Sequence, residues 1–225
     1  MSQLAFNLEF RPARGREDFF VTPCNAEAVG WVDRWPDWGV PGIVVYGPPA
    51  SGKSHLAEVW ASRSRAVSRS LGALAAAPPP AILGDALHVC LDLGDGTQLP
   101  GDVEEPLLHL YNLVVEQGGS LMFTARTPPA RATIGLADLA SRLRALPAVA
   151  IALPDDALLT AILLKQLEDR QISLPRDAVT YAVSRMERSF DAVRRLVTTL
   201  DREAYAQRRR PGLPLLREIL DETPS

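Results

Sequence analysis

Residues 47–54 read Gly47-Pro48-Pro49-Ala50-Ser51-Gly52-Lys53-Ser54 and fit the pattern G-x-x-x-x-G-K-[ST] in full. The pattern constrains architecture as well as chemistry. Backbone amides cradle phosphate where a strand runs into a tight loop that opens a helix, whose positive end adds to the attraction. The flanks comply. Gly42-Ile43-Val44-Val45-Tyr46 is a short apolar, β-rich run. Lys53 to Arg63 reads as a helix with Leu56, Val59 and Trp60 on one face. In this arrangement Lys53 reaches the β- and γ-phosphates and the Ser54 hydroxyl ligates Mg²⁺. Of 24 Lys plus Arg, only Lys53 and Lys165 are lysines. A slim point charge is what phosphate cradling asks of that position.

The remaining strands follow by hydrophobic pattern. Ala66 to Arg69 predicts a short strand, and Ala73 to Pro80 a low-complexity bend. Leu87 to Asp92 is an apolar run ending in an acid, the form of a Walker B strand whose carboxylate holds the Mg²⁺ water shell. Leu93 follows, where many such ATPases carry a second acid to orient water, so weak hydrolysis by the chain alone is expected. Asp102 predicts the cap of a helix from Val103 to about Gln117, stopped by Gly118-Gly119. Ser120 to Thr124 and Ala148 to Leu153 predict two more strands, with a helix at Leu136 to Ala145 holding Arg142 and Arg144. Strands alternating with helices argue an α/β fold, a parallel sheet with helices on both faces. Beyond Pro154 only amphipathic helices follow: Asp155–Asp169, Arg176–Met186, Ser189–Tyr205 and Leu213–Leu220. These form a small all-α lid domain. The Arg208-Arg209-Arg210 run reads as a solvated helix end.

Before the P-loop, Asn25 predicts an N-cap for a helix reaching Trp35, and Trp31, Trp35 and Trp38 read as core. In Met1 to Arg16 the apolar residues Leu4, Phe6, Leu8 and Phe10 alternate, which suggests an extended segment. It is an edge strand or tail, or a short motif, Gln3 to Leu8, that docks as an extended strand with apolar anchors. The domain reading is 1–16 for this segment, 17–153 for the P-loop domain and 154–225 for the lid.

A net charge of −3 argues against a dedicated nucleic-acid binder. Two cysteines, Cys24 and Cys90, make no disulfide framework, and no run is long and apolar enough to span a bilayer. A cytoplasmic protein is expected, with no membrane partner.

P-loop domain plus helical lid is the layout of the AAA+ ATPases. The Gln3-Leu4-Ala5-Phe6-Asn7-Leu8 segment, Asp18-Phe19-Phe20-Val21 with Asn25, Gly47 through His55-Leu56, Leu107 with Tyr111-Asn112 and Thr124-Ala125 with Pro128-Pro129 narrow it. So do Gly135-Leu136-Ala137-Asp138-Leu139-Ala140-Ser141-Arg142-Leu143 and the terminal Leu216-Arg217-Glu218-Ile219-Leu220. Together they resemble the Hda family, DnaA-related regulators, and its HdaA branch in particular. The resemblance implies a protein that binds ADP or ATP with Mg²⁺ and docks on the DNA-loaded sliding clamp of DNA polymerase III. There it stimulates ATP hydrolysis by the initiator DnaA and prevents re-initiation. It implies clamp binding by Gln3, Leu4, Phe6 and Leu8, and an arginine finger, Arg142, acting in trans. It also implies nucleotide contacts from Val21, Asn25, Gly47, Pro48, Pro49, Ala50, Ser51, Gly52, Lys53, Ser54 and His55, with Mg²⁺ at Ser54 and Asp92. DNA would be met through the clamp, and self-association is plausible for this class.

Two positions depart from the family pattern. Arg126 stands near the usual sensor I aspartate, and Asp191 falls at the sensor II arginine, with Arg194, or Arg195 after a register shift, as replacement. The preference between ADP and ATP therefore stays open. The alternatives are an autonomous AAA+ ATPase such as a helicase loader, and a structural adaptor with a degenerate nucleotide site.

Overall fold

The computed structural model of the chain describes residues 10–11, 19–207 and 209–221. Two short strands, β1 (Phe10–Arg11) and β2 (Phe19–Phe20), pair antiparallel. Gln3, Leu4, Phe6 and Leu8 lie outside the described residues. Helix α1 (Ala26–Arg34) follows, then β3 (Gly42–Tyr46), which matches the apolar run read before the P-loop. Helix α2 (Lys53–Ser64) begins at the P-loop lysine, and β4 (Val67–Ser70) comes next.

The stretch read as a bend between Ala73 and Pro80 instead carries two short helices, α3 (Leu71–Ala76) and α4 (Pro79–Leu83). Leu74, Ile82 and Leu83 are buried there. Pro79 opens α4, where its missing N–H costs nothing, so a run of prolines that reads as a break starts a helix. Strand β5 (Val89–Asp92) is shorter than the apolar run predicted from Leu87. Helix α5 spans Gly101–Glu116. Its N-cap is Pro100, so Asp102 is not the cap but an acid in the first turn, favourable to the helix dipole. Strand β6 (Leu121–Ala125), a 3-10 turn at Pro129–Arg131, helix α6 (Ala137–Ala145) and strand β7 (Ala148–Ala150) complete this part.

The five strands β4-β5-β6-β3-β7 form one parallel sheet in that order. Successive residues of each strand point to opposite faces. Val44, Leu91 and Phe123 enter one cluster with Leu74, Leu107, Leu110 and Leu139 from α3, α5 and α6. Ile43, Val45, Cys90 and Met122 enter the other with Ala28, Val32, Leu56 and Trp60 from α1 and α2. Both faces are covered, which is why these strands read as continuous apolar runs. Trp60 is fully buried and stacks on Trp38 with ring centroids 5.5 Å apart, while Trp31 and Trp35 are only half-buried. Asn25 is the N-cap of α1 but makes no side-chain cap bond. Its Oδ1 instead accepts the Thr22 amide N–H at 2.8 Å.

The chain divides into two compact units: one carries the sheet and runs to Ala152, and the other takes Leu153 onward together with the loop residues Ala50–Gly52. The second contains α7 (Asp156–Asp169), α8 (Arg176–Arg185), α9 (Phe190–Gln207) and α10 (Leu213–Asp221). Leu159, Ile162, Ala182, Val193, Val197 and Leu216 are buried within it. Two helices start as their sequences suggest. Asp155 Oδ1 accepts the Leu158 N–H at 2.8 Å, and the fully buried Ser189 Oγ accepts the Ala192 N–H at 3.0 Å. Ser189→Ala is therefore expected to lower the stability of this unit by about 0.5–2 kcal/mol, read as an earlier urea midpoint. Arg209 pairs with Glu218 at 2.8 Å, so that part of the arginine run ties the end of α9 to α10. No helix among the described residues is long and apolar enough to cross a membrane.

Candidate nucleotide site and arginine-bearing helix

Parallel pairing brings the carboxyl ends of three strands to one edge of the sheet. Tyr46 of β3 lies opposite Ala125 of β6, and Asp92 of β5 opposite Thr124. The first P-loop residue is tied to β6, since the Gly47 N–H donates to Ala125 O at 3.1 Å. Crevices at the carboxyl ends of parallel strands are where such sheets take ligands. The loop then turns through Ala50 (φ 58°) and Gly52 (φ 98°), both left-handed. Glycine takes that conformation freely, whereas alanine is strained by it. Lys53 folds over the loop, and its Nζ donates to Gly47 O at 2.8 Å and Pro48 O at 2.6 Å. Two of three ammonium hydrogens are thus used, and one donor remains for an anion. Ser51 Oγ is buried and has no hydrogen-bond partner among the described residues. Ser54 is exposed and His55 half-buried.

Asp92 is exposed, and one of its oxygens is already placed. Oδ1 accepts Thr124 Oγ1–H at 3.0 Å and the Gly94 N–H at 3.0 Å. Thr124, from the neighbouring strand, orients the carboxylate, a role no local pattern announces. Leu93 is buried in the core, with its N–H donating to Thr124 O at 2.8 Å, so its side chain offers nothing to a water at the site. Arg126 follows directly on β6, is exposed, and has no ion-pair partner among the described residues. Burial first, and then the nearby Arg126 charge, hold the Lys53 ammonium below the usual lysine range, with Asp92 partly opposing them.

Among the described residues no group of three His, Cys, Asp or Glu side chains is placed to hold a metal ion. The donor set fits a small hard cation that keeps its waters and takes one carboxylate, a hydroxyl and the phosphates themselves. Val21 is half-buried, and Asn25 is buried with its side chain engaged at Thr22.

Arg142 lies in the last turns of α6, partly exposed. Its Nε donates to both Asp138 oxygens, at 3.1 and 3.2 Å, and its guanidinium carbon lies 5.7 Å from the centroid of the Tyr111 ring. Its two terminal nitrogens have no hydrogen-bond partner among the described residues. In the helical unit, Asp191 is bracketed by Arg194 and Arg195 and paired with both. The negative charge read at that position is thereby compensated within α9.

Residues 155–220 match the family model described as Hda, lid domain. The fold is similar to that of three solved structures. A DNA replication initiation factor matches with a TM-score of 0.67 at 17% identity, over 84% of this chain and 64% of that one. Domain III of the Thermotoga maritima replication initiation protein DnaA matches with a TM-score of 0.70 at 17% identity, over 91% and 94%. AMPPCP-bound DnaA from Aquifex aeolicus matches with a TM-score of 0.66 at 17% identity, over 84% and 68%. This chain thus spans under two thirds of the first of these proteins. Sequence identity at this level speaks for the fold alone. The described fold is accordingly similar to that of DnaA domain III, and residues 155–220 match the Hda lid model.

Proposed function

From the match of residues 155–220 to the Hda lid domain, we propose that the chain is an Hda-family protein that regulates replication initiation by activating ATP hydrolysis on DnaA. In this reading it binds ADP or ATP with Mg²⁺, docks on the DNA-loaded sliding clamp through Gln3, Leu4, Phe6 and Leu8, and supplies Arg142 in trans. It works in the cytoplasm and meets DNA through the clamp. The observation that carries the trans role is the state of Arg142. Its inner nitrogen is held by Asp138, while the outer fork has no hydrogen-bond partner among the described residues and lies beside the Tyr111 ring. A guanidinium held at its base with a free fork suits the charge that develops on a γ-phosphate.

Nucleotide binding rests on the P-loop. Lys53 lies over the loop with a donor to spare, and Asp92 presents one oriented carboxylate. Bound phosphates and Mg²⁺ would supply the charge that Lys53, Ser54 and Asp92 are set out to meet. The core-facing Leu93 supports a weak intrinsic ATPase, because no acid follows Asp92 to orient the attacking water.

The linkage at Lys53 gives a pH dependence. Its pKa in the free protein is held below the ordinary lysine value of about 10.5 by burial and then Arg126, and an anionic phosphate would raise it. Binding then takes up a proton between the two values. Affinity for ADP is expected to be flat below the free pKa and to fall as pH rises through it, at alkaline pH below 10.5. Calorimetric titration of ADP across pH reads this directly. In Arg126→Ala the fall should begin at higher pH.

The functional reading is tested by DnaA-dependent ATP hydrolysis on clamp-loaded DNA, with and without this chain. Stimulation that disappears when Met1 to Leu8 is removed supports it. No stimulation, with DnaA and clamp shown to be active, rejects it.

A further inference from the structure

Helix α6 receives no cap from its own residues. Its N-cap is Leu136, which offers no side-chain acceptor. The acceptor comes from α5. Glu104 is only 7% exposed, and its two oxygens accept the N–H groups of Gly135 at 2.8 Å and Leu136 at 2.6 Å. A buried carboxylate is costly unless its charge is met. Here it is met by two backbone donors at the positive end of a helix, an arrangement of short, charge-assisted bonds. The fit is close. A Cβ on Gly135 would stand 3.2 Å from Glu104 Oε2, so this position has little room for a side chain.

Seven residues along α5 is two helical turns, which returns to nearly the same face. There Tyr111, 6% exposed, offers its ring to the Arg142 guanidinium at 5.7 Å. One face of α5 therefore holds α6 at its start through Glu104 and near its end through Tyr111. Asp138 on α6 itself holds the Arg142 Nε from the side. Neither contact involves the P-loop or the lid.

We propose that Glu104 and Tyr111 are positioning residues for Arg142. Glu104 sets where α6 begins and how it is aimed, and Tyr111 sets how the guanidinium leaves it. The inference rests on the trans role proposed for Arg142. A misplacement of about 1 Å in a group that acts on a transition state costs on the order of a hundredfold in rate. Small errors in α6 should therefore appear in the maximal rate rather than in partner affinity.

The test is DnaA-dependent ATP hydrolysis on loaded clamp, with the full chain titrated to saturation. Glu104→Gln keeps the shape but turns an amide toward one of the two N–H groups. Tyr111→Leu removes the ring face, and Tyr111→Phe keeps it. Glu104→Gln and Tyr111→Leu are expected to lower the saturating rate by about tenfold to a hundredfold. Half-saturating concentration should stay within about twofold, while Tyr111→Phe stays near wild type. Amide hydrogen exchange of Glu104→Gln should be faster across residues 135–145, with β3, β5 and β6 unchanged. Should Glu104→Gln fail to fold, the Tyr111 pair decides alone. Wild-type rates in Glu104→Gln and Tyr111→Leu, beside an inactive Arg142→Ala, overturn the inference. A shift in half-saturation with the rate intact overturns it too. A wild type that gives no stimulation, or an Arg142→Ala that keeps it, rejects the underlying reading and the inference with it.

Discussion

Arg142→Ala is expected to abolish stimulation of DnaA, lowering the stimulated rate by about 10³-fold or more at saturating regulator. The size follows from where the charge acts. A guanidinium supplied at a developing phosphoryl charge works in a site from which water is largely excluded, where a charge is worth far more than in solution. The same side chain contributes little to the fold. Its pair with Asp138 has side chains 39% and 54% exposed, and pairs of that kind are worth about 0–1 kcal/mol. Stability and nucleotide content should thus match wild type while activity is lost. Steady-state phosphate release with a urea melt in parallel separates the two. A variant that loses activity only in proportion to lost folded protein contradicts the finger role.

Lys53→Ala carries the second large effect, on nucleotide retention. Removing one partner of a hydrogen-bonded charge pair costs about 2–5 kcal/mol, or about thirtyfold to several thousandfold in affinity. Lys53 has a further duty in the free protein, since it bridges the carbonyls of Gly47 and Pro48. Its loss releases the loop as well as the charge. Lys53→Arg should not restore affinity, because a planar fork does not fit where a point charge lies across two carbonyls. Fluorescent ADP titration measures both variants. No ADP binding by wild type, with clamp binding intact, would support the reading of a structural adaptor whose nucleotide site is degenerate, and wild-type affinity in Lys53→Ala would contradict the role given to Lys53.

Local signals carried most of the sheet and the P-loop. Gly42–Tyr46 is apolar, short and followed by the glycine pattern, so both the strand and the start of α2 at Lys53 were legible. The lid helices announced themselves by Asp155 and Ser189, whose side chains bond amides three residues on. What escaped depends on residues far apart in sequence. Thr124 orients Asp92 from 32 positions away, and Glu104 holds the two amides that lead into α6 from 31 and 32. No periodicity or spacing encodes such pairs, because strand order and helix packing bring them together. Asn25 takes the N-cap position of α1 as expected, but its oxygen accepts the Thr22 N–H rather than an amide of the helix. At Leu71–Leu83 the low complexity hid two helices whose burial comes from tertiary packing rather than propensity.

Single-turnover hydrolysis of labelled ATP bound in advance to DnaA, with free nucleotide removed, tests the central claim most directly. Clamp-loaded DNA is added with wild type, Arg142→Ala or Lys53→Ala. Rapid loss of the label with wild type, none above background with Arg142→Ala, and some with Lys53→Ala in proportion to its folded fraction is the predicted result. Equal rates for wild type and Arg142→Ala, with Lys53→Ala inactive, would place hydrolysis on this chain's own P-loop and contradict action in trans.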